Sequence, residues 1–508
     1  MKQWLDRVTG AITMYRLILA SLIAIAVIAL ALSLLGQLSF APLALVASAA
    51  VALAATFASN WLLARLLRIT PHNDSSMITA LLIFVVLSPS LEAGGLLSIA
   101  LAGVIASVSK YLVAVRGRHI FNPAAVGIFV VTLLAFGGFD SFSFASWWLG
   151  TPYLLLPVAL AAFAILYRTQ RLTMGVVFIA VATVATVLRY VIVGSDPLDA
   201  VSYLFLSSPV VFFAGFMLSE PLTLPPRRWQ QLAEAVIVAL LVTVPFSLGL
   251  LSNTPQLALL VGNLLAFIVG QRRAIRLAYL GKTQLGPSTW ELAFQPARPV
   301  RFTAGQYIEL TLPHRKADFR GSRRYFSISS APGTDGPITV AITTPEKASS
   351  FKRALLDLEP GAEVHATSVG GDFALPAAAD RPLLLVAGGI GITPFASQLA
   401  HTTAKGEKRD VVVVYQSSSD GELPYSQLLQ ESGARVVLFA PKAPTPLPAG
   451  WTYGGEGRVT GERLLAAVPD AASRRTYISG PPALVAGLRA ALRSQGVRRV
   501  HADYFSGY

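Results

Sequence analysis

Ten long apolar runs in the first 276 residues constrain the fold of this chain more than any other feature. They lie near Leu17–Leu35, Pro42–Leu63, Met77–Leu87, Leu96–Val115, Ile120–Phe136, Pro152–Leu166, Leu172–Val193, Val201–Leu218, Leu232–Leu250 and Gln256–Val269. Most have the roughly 16–22 residues that a bilayer crossing needs. In lipid every backbone polar group must be paired internally, so each run reads as a membrane helix. Met77–Leu87 is short enough to be re-entrant. The loops alternate in charge. Lys2/Arg7/Arg16, Arg65/Arg68, Lys110/Arg116/Arg118, Arg168/Arg171, Arg227/Arg228 and Arg272/Arg273/Arg276 fall on one side, and Glu92, Asp140, Asp196 and Asp199 on the other. Basic loops stay in the cytoplasm, so an even number of crossings puts both termini there, in the inner membrane of a prokaryote. The first run has no small-residue cleavage site and a second run follows at once, so it reads as an anchor and not a signal peptide.

Charge separates this half from the rest. Residues 1–276 carry 16 basic and 8 acidic side chains, against 25 and 19 in the remaining 232 residues. Much of the formal +14 therefore reports membrane orientation, and nothing in it points to nucleic acid. The chain has no cysteine, which excludes disulfides and thiolate-ligated iron–sulfur clusters. Redox chemistry would need an organic cofactor or a partner. The segment 271–276 is too short for a flexible tether and puts the soluble half close against the cytoplasmic face.

Beyond it, short runs rich in β-branched and aromatic residues, Thr289–Phe294, Tyr307–Leu312 and Ile338–Thr343, alternate with Gly/Pro turns and predict a small antiparallel barrel. After Arg381, buried strand-like runs at Leu383–Ala387, Val411–Tyr415, Val436–Phe439 and Arg475–Ser479 are divided by helical stretches, the pattern of a parallel α/β sheet. The first of these strands runs into Gly388-Gly389-Ile390-Gly391-Ile392-Thr393-Pro394. Its glycines let backbone approach a ligand at a helix N-terminus. Upstream stands Arg324-Tyr325-Phe326-Ser327, and downstream Ser479-Gly480-Pro481 ends a strand at the same sheet edge.

These three motifs, in this order, resemble the ferredoxin–NADP reductase-like flavoenzymes over about residues 275–508. Phe302–Tyr307 is similar to that family's Pro-Gly-Gln-aromatic entry, with Ala304 in place of proline. The resemblance implies FAD, with Arg324 on the pyrophosphate and Tyr325, Phe326 and Ser327 along the flavin. Ser327 would face the reacting ring, and Phe326 stands where a tyrosine is usual. Ser349 and Ser350 match a second phosphate contact, although they also suit plain helix capping. Thr343 would be a further cofactor contact. Gly370–Phe373 resembles the link between the family's two domains. Gly388, Gly389, Gly391, Thr393, Pro394, Gly480 and Pro481 would hold NAD(P)H, and Phe505 or Tyr508 would cover the flavin until nicotinamide displaces it. Gln416–Asp420 has no arginine for a 2′-phosphate, which favours NADH, while its serines keep NADPH open.

In the membrane half, Ser75–Leu82, Arg116–Ala125 with its Phe121-Asn122-Pro123-Ala124 run, and Phe212–Pro221 resemble the membrane subunits B of sodium-pumping NADH:quinone reductase and D of the Rnf complex. That resemblance implies a second flavin near Asn122 and Pro123. The family's covalent-attachment motif is missing, and Gly150-Thr151-Pro152 holds only fragments of it, so FMN or riboflavin is expected to be noncovalent. Glu220 stands where the family has aspartate. It suits cation or proton movement, or a solvated cap, and no other intramembrane acid marks an ion path. Two bis-histidine haems need four membrane histidines, whereas this half has His72 and His119 alone.

The expected architecture is a polytopic α-helical membrane domain of about ten spans (1–270), a short linker (271–276), a soluble antiparallel β-barrel FAD domain (277–380) and an α/β nucleotide-binding domain (381–508). The expected activity is electron transfer from cytoplasmic NAD(P)H through FAD and a membrane flavin to a quinone or an extracytoplasmic redox partner. Lipid surrounds the first half and further subunits are allowed. The alternatives are a haem-containing transmembrane reductase of the ferric reductase and NADPH oxidase kind, and a transporter regulated by its reductase domain.

Overall fold

Proline and asparagine cut several of the apolar runs into helices shorter than the runs themselves. The computed structural model describes residues 14–67, 73–115, 118–139, 141–271, 275–314, 323–333, 336–344, 348–417, 423–497 and 500–504. The chain forms two units, one of residues 7–272 and one containing residues 273–508.

The first unit is helical: α1 (Met14–Leu34), α2 (Pro42–Leu66), α3 (Asn73–Val86), α4 (Ala93–Leu112), α5 (Pro123–Phe136), α6 (Pro152–Arg168), α7 (Leu172–Ile192), α8 (Pro197–Ser202), α9 (Val210–Phe212), α10 (Arg228–Thr243) and α11 (Pro255–Ala266). π-helical turns extend α8 through Ser207 and α9 through Leu218. Among the described residues four helices, α1, α2, α4 and α7, are long and apolar enough to cross a membrane, and the bent pair 197–207 and 210–218 makes a fifth if counted as one span. The expected ten crossings are corrected to that count. A 14-residue helix such as α3 or α5 rises about 21 Å, short of a hydrocarbon core of about 30 Å. The causes are local. Asn122 caps α5 by accepting from the Ala125 N–H at 3.1 Å and Pro123 fixes its first turn, so the run from Ile120 loses its start. Ser208 is extended ahead of Pro209, and the chain bends there by 61°. Polar contacts join the helices: Ser59 donates to Ser107 at 2.8 Å and Tyr111 to Asn60 at 2.7 Å.

The second unit opens with β1 (Ile275–Gln284), β2 (Thr289–Pro296), β3 (Tyr307–Thr311), β4 (Arg323–Ser327), β5 (Ile338–Thr343), α12 (Ser350–Leu356) and β6 (Glu363–Gly370). Its six antiparallel strands lie in the order β4-β3-β6-β1-β2-β5. An antiparallel bridge between Ile328 and Val340 brings the two edges together. Alternate residues point inward, so Leu277, Tyr279, Leu292, Phe294, Ile308, Leu310 and Val340 fill the interior. Next come β7 (Leu383–Gly388), α13 (Thr393–Ala404), β8 (Val411–Gln416), α14 (Ser426–Glu431), β9 (Arg435–Phe439), β10 (Trp451–Gly455), α15 (Gly461–Ala467), β11 (Arg475–Gly480), α16 (Pro482–Ser494) and β12 (Val500–Tyr504). The parallel sheet runs β10-β9-β8-β7-β11-β12. All six residues of β7 are buried, as expected of a central strand covered on both faces. The chain builds outward from β7 through β8, β9 and β10, then returns to β7's other side as β11. The carboxyl ends of β7 and β11 therefore flank the point where strand order reverses.

Candidate functional site

In the barrel, Arg324 and Phe326 share one face of β4 and both meet Phe351 in the first turn of α12. The Arg324 guanidinium lies 5.2 Å from the Phe351 ring centre, and the Phe326 ring stacks on it at 6.0 Å. Tyr325 stands on the other face, 51 % exposed, edge-on to Tyr307 at 5.2 Å. Ser327, at the end of β4, is buried. Ser349 accepts the Lys352 N–H at 3.3 Å and so caps α12, while Ser350 bonds His314 Nε2 at 3.0 Å. The Thr343 hydroxyl lies 3.4 Å from that of Thr289, and its carbonyl takes the Lys352 ammonium at 2.7 Å. Gln306 donates to the Gly371 carbonyl at 3.0 Å and accepts the Thr303 N–H at 2.8 Å, so the Gly-Gln turn is tied to the link at residues 370–373.

The barrel and the sheet are bonded to each other. Ser397 donates to the Ser330 carbonyl at 2.6 Å, and Gln398 to the Phe373 carbonyl at 2.6 Å. The Tyr425 hydroxyl donates to Glu291 Oε1 at 2.8 Å beside Ser329, which donates to the same oxygen at 2.7 Å. Burial first, and the Glu291 charge second, hold the Tyr425 phenol well above its ordinary range, so it stays a donor.

At the sheet edge, Gly388 to Ile392 turn directly into α13, whose first residues, Thr393 and Pro394, are buried. A Cβ on Gly391 would stand 2.4 Å from the Ser479 carbonyl oxygen and 2.7 Å from Gly480 Cα, so this turn rests directly on the end of β11. Gly389 has φ +53° and open space where a side chain would go. The Ser479 hydroxyl is fully buried and has no hydrogen-bond partner among the described residues. A glycine turn at a helix N-terminus, with an unpartnered buried hydroxyl on the neighbouring strand end, could take a nucleotide at this edge. Gln416 is occupied, accepting the Val459 N–H at 2.7 Å. Phe505, Tyr508 and Ser418 to Asp420 lie outside the described residues.

The helical unit holds a second polar group. Asn122 donates to Glu220 Oε2 at 2.8 Å, His119 Nε2 lies 3.0 Å from Glu220 Oε1, and the Asn122 N–H donates to Asn263 Oδ1 at 2.8 Å. Pro123 is buried beside them. Thr151 Oγ1 is buried without a hydrogen-bond partner among the described residues. His72 lies outside them.

Residues 385–490 match the family model of the oxidoreductase NAD-binding domain. The C-terminal half is similar to ferredoxin reductase-like FAD/NAD-binding modules. Relatives include the flavohemoprotein of Bordetella pertussis, 28 % identical over 40 % of this chain and 53 % of its own length. The ferredoxin reductase component of 3-ketosteroid-9-alpha-monooxygenase from Mycolicibacterium smegmatis is 28 % identical over 41 % and 56 %. The NADH oxidoreductase HCR of Escherichia coli is 25 % identical over 44 % and 65 %. This chain spans about half the length of the first two relatives. Among solved structures, the Amycolatopsis cytochrome P450 reductase GcoB matches 46 % of this chain and 70 % of its own at 23 % identity, with a TM-score of 0.40.

One residue of the reductase module escaped the sequence reading. Asp503 pairs with Ser479 in the register of β11 and β12, at the sheet edge that carries the glycine turn. Burial pushes its carboxyl up to about 6, with the Asp372 charge acting in the same direction and a backbone hydrogen bond at Tyr504 opposing. Only the sheet register brings it to Ser479, so the sequence offered no more than an acid near an aromatic end. The unfolded carboxyl titrates near 3.8, so the folded state binds more protons between that pH and about 6, and stability falls as pH rises through this window. Asp503→Asn is expected to melt higher than the parent at about pH 7.5 and level with it below about pH 4, by thermal unfolding of the full chain. Equal melting at the higher pH would remove Asp503 as the source.

Proposed function

We propose that this chain is a membrane-bound NAD(P)H:acceptor oxidoreductase. It takes reducing equivalents at the reductase module and delivers them, through a flavin in the helical half, to a quinone or an extracytoplasmic redox partner. The observation that carries this reading is the union, in one chain without cysteine, of that module with an apolar helical unit holding the polar cluster of Asn122 and Glu220. Both termini are assigned to the cytoplasm of a prokaryote, with lipid around the first unit.

Bound FAD supplies the junction between two-electron and one-electron chemistry. Arg324 would hold its pyrophosphate, with Tyr325, Phe326, Thr343, Ser349 and Ser350 bordering it and Ser327 beside the reacting ring. Gly388, Gly389, Gly391, Thr393, Pro394, Gly480 and Pro481 would cradle the nicotinamide nucleotide, and the Ser479 hydroxyl, unpartnered among the described residues, would bond it. Phe505 or Tyr508 would cover the flavin between turnovers. NADH is preferred, because the Gln416 side chain is engaged and residues 416–420 include no arginine. In the helical half Asn122 and Pro123 would border a noncovalent FMN or riboflavin. The buried Thr151 hydroxyl argues against an ester there.

The test is extraction and mass identification of every cofactor from the full chain, with spectra taken before and after NADH. Two flavins released by denaturation alone, FAD plus FMN or riboflavin, are expected, both bleached by NADH. FAD alone would remove the membrane flavin. A stoichiometric Soret band would replace this reading with a haem-carrying reductase.

A further inference from the structure

Glu234 sits in α10, inside a run that the sequence presents as apolar, and it is 4 % exposed. Neither carboxyl oxygen has a hydrogen-bond partner among the described residues. That is unusual, because a buried acid is ordinarily paired or hydrogen-bonded to offset the loss of water. Space for the group is made by α11. A Cβ on Gly262 would stand 3.1 Å from Glu234 Oε1 and 2.7 Å from Val238 Cγ2, so the carboxyl rests where that side chain is missing.

The charged surroundings are sparse. α11 carries no titratable residue from Pro255 to Ala266. α7 carries Arg189 and Tyr190 at its far end, and α10 itself adds Arg228 in its first turn, which donates to Thr173 at 3.1 Å. The charge that reaches Glu234 is that of Arg171, just before α7. Arg171 also donates to the Ser219 carbonyl at 3.5 Å, next in the chain to Glu220. Glu220 is wetter, with its side chain 22 % exposed and bonded to His119. Arg171 thus connects the neighbourhood of Glu234 to the backbone next to Glu220.

We propose that Glu234 is a proton-binding site of the helical unit, loading and releasing one proton, with Arg171 as the counter-charge for the unloaded carboxylate. A proton needs one oxygen, whereas a hard metal cation collects several, and no group of three or more His, Asp or Glu side chains gathers among the described residues. The site rests on the geometry of the helices and is independent of the flavin reading.

The test uses the full chain in phosphatidylcholine vesicles, without NADH, treated with dicyclohexylcarbodiimide, which adds to protonated carboxyls in apolar settings. Adducts are located by peptide mass. The adduct is expected on Glu234, absent from that position in Glu234→Gln. Its rate is expected to fall about tenfold per pH unit once the carboxyl ionises, and to be equal in sodium and choline chloride. Protection by sodium would overturn the proposal in favour of a metal cation. No adduct on Glu234 at any pH, or a rate independent of pH, would overturn it outright.

Discussion

Arg324→Ala is expected to lose FAD on purification, with retention weakened about 10- to 150-fold. The figure follows from a charge-assisted contact to phosphate contributing about 1.5–3 kcal/mol, with tenfold for each 1.4 kcal/mol. The geometry makes this residue hard to replace. Arg324 is 6 % exposed, its guanidinium lies over Phe351 at 5.2 Å, and it enters from the same face of β4 as Phe326. Lysine would keep the charge without the planar fork, so Arg324→Lys should fall between the parent and alanine. The measurement is the flavin-to-protein ratio after gel filtration, together with NADH-driven dye reduction with and without added FAD. A recovery of rate with added FAD would mark a binding defect in a folded barrel. Stoichiometric FAD in the purified alanine variant would remove Arg324 from the cofactor site.

The C-terminal half was legible because its signals are local. Period-two alternation placed Ile338–Thr343 at its observed bounds, and the valine run at 411–415 marked a strand buried on both faces. The glycines at 388, 389 and 391 marked a strand-to-helix turn that the structure forms. Hydropathy was less reliable in the first half, since it counts residues such as Ile120 and Phe121 that lie before the cap at Asn122. What stayed hidden depends on partners distant in sequence. Ser479 is informative because its hydroxyl is unpaired among the described residues, Asp503 because sheet register sets it beside Ser479, and Glu234 because Gly262 on another helix leaves room for it. Windows of neighbouring residues contain none of those relations. The capping role of Ser349 shows the converse case, in which a local motif served two readings and the structure supplies the plainer contact.

The glycine turn makes the second large effect. Gly391→Ala would drive a methyl to 2.4 Å from the Ser479 carbonyl oxygen and 2.7 Å from Gly480 Cα, backbone atoms at the end of a central strand. Such a clash is relieved only by moving the turn away from β11, and overpacking of this kind typically costs about 1–3 kcal/mol. If the turn holds the nicotinamide nucleotide, the KM for NADH should rise about 5- to 150-fold while FAD stays bound, because the barrel's Arg324 and Phe351 are untouched. Gly389→Ala separates space from backbone strain. Its Cβ would meet nothing within 4 Å, but φ is +53°, so the expected cost is the roughly 1–2 kcal/mol of a left-handed residue. Both variants are to be compared by NADH titration of dye reduction, with FAD content as the measure of an intact barrel. A parental KM in Gly391→Ala with full FAD content would mean that the turn packs the sheet and does not hold the nucleotide.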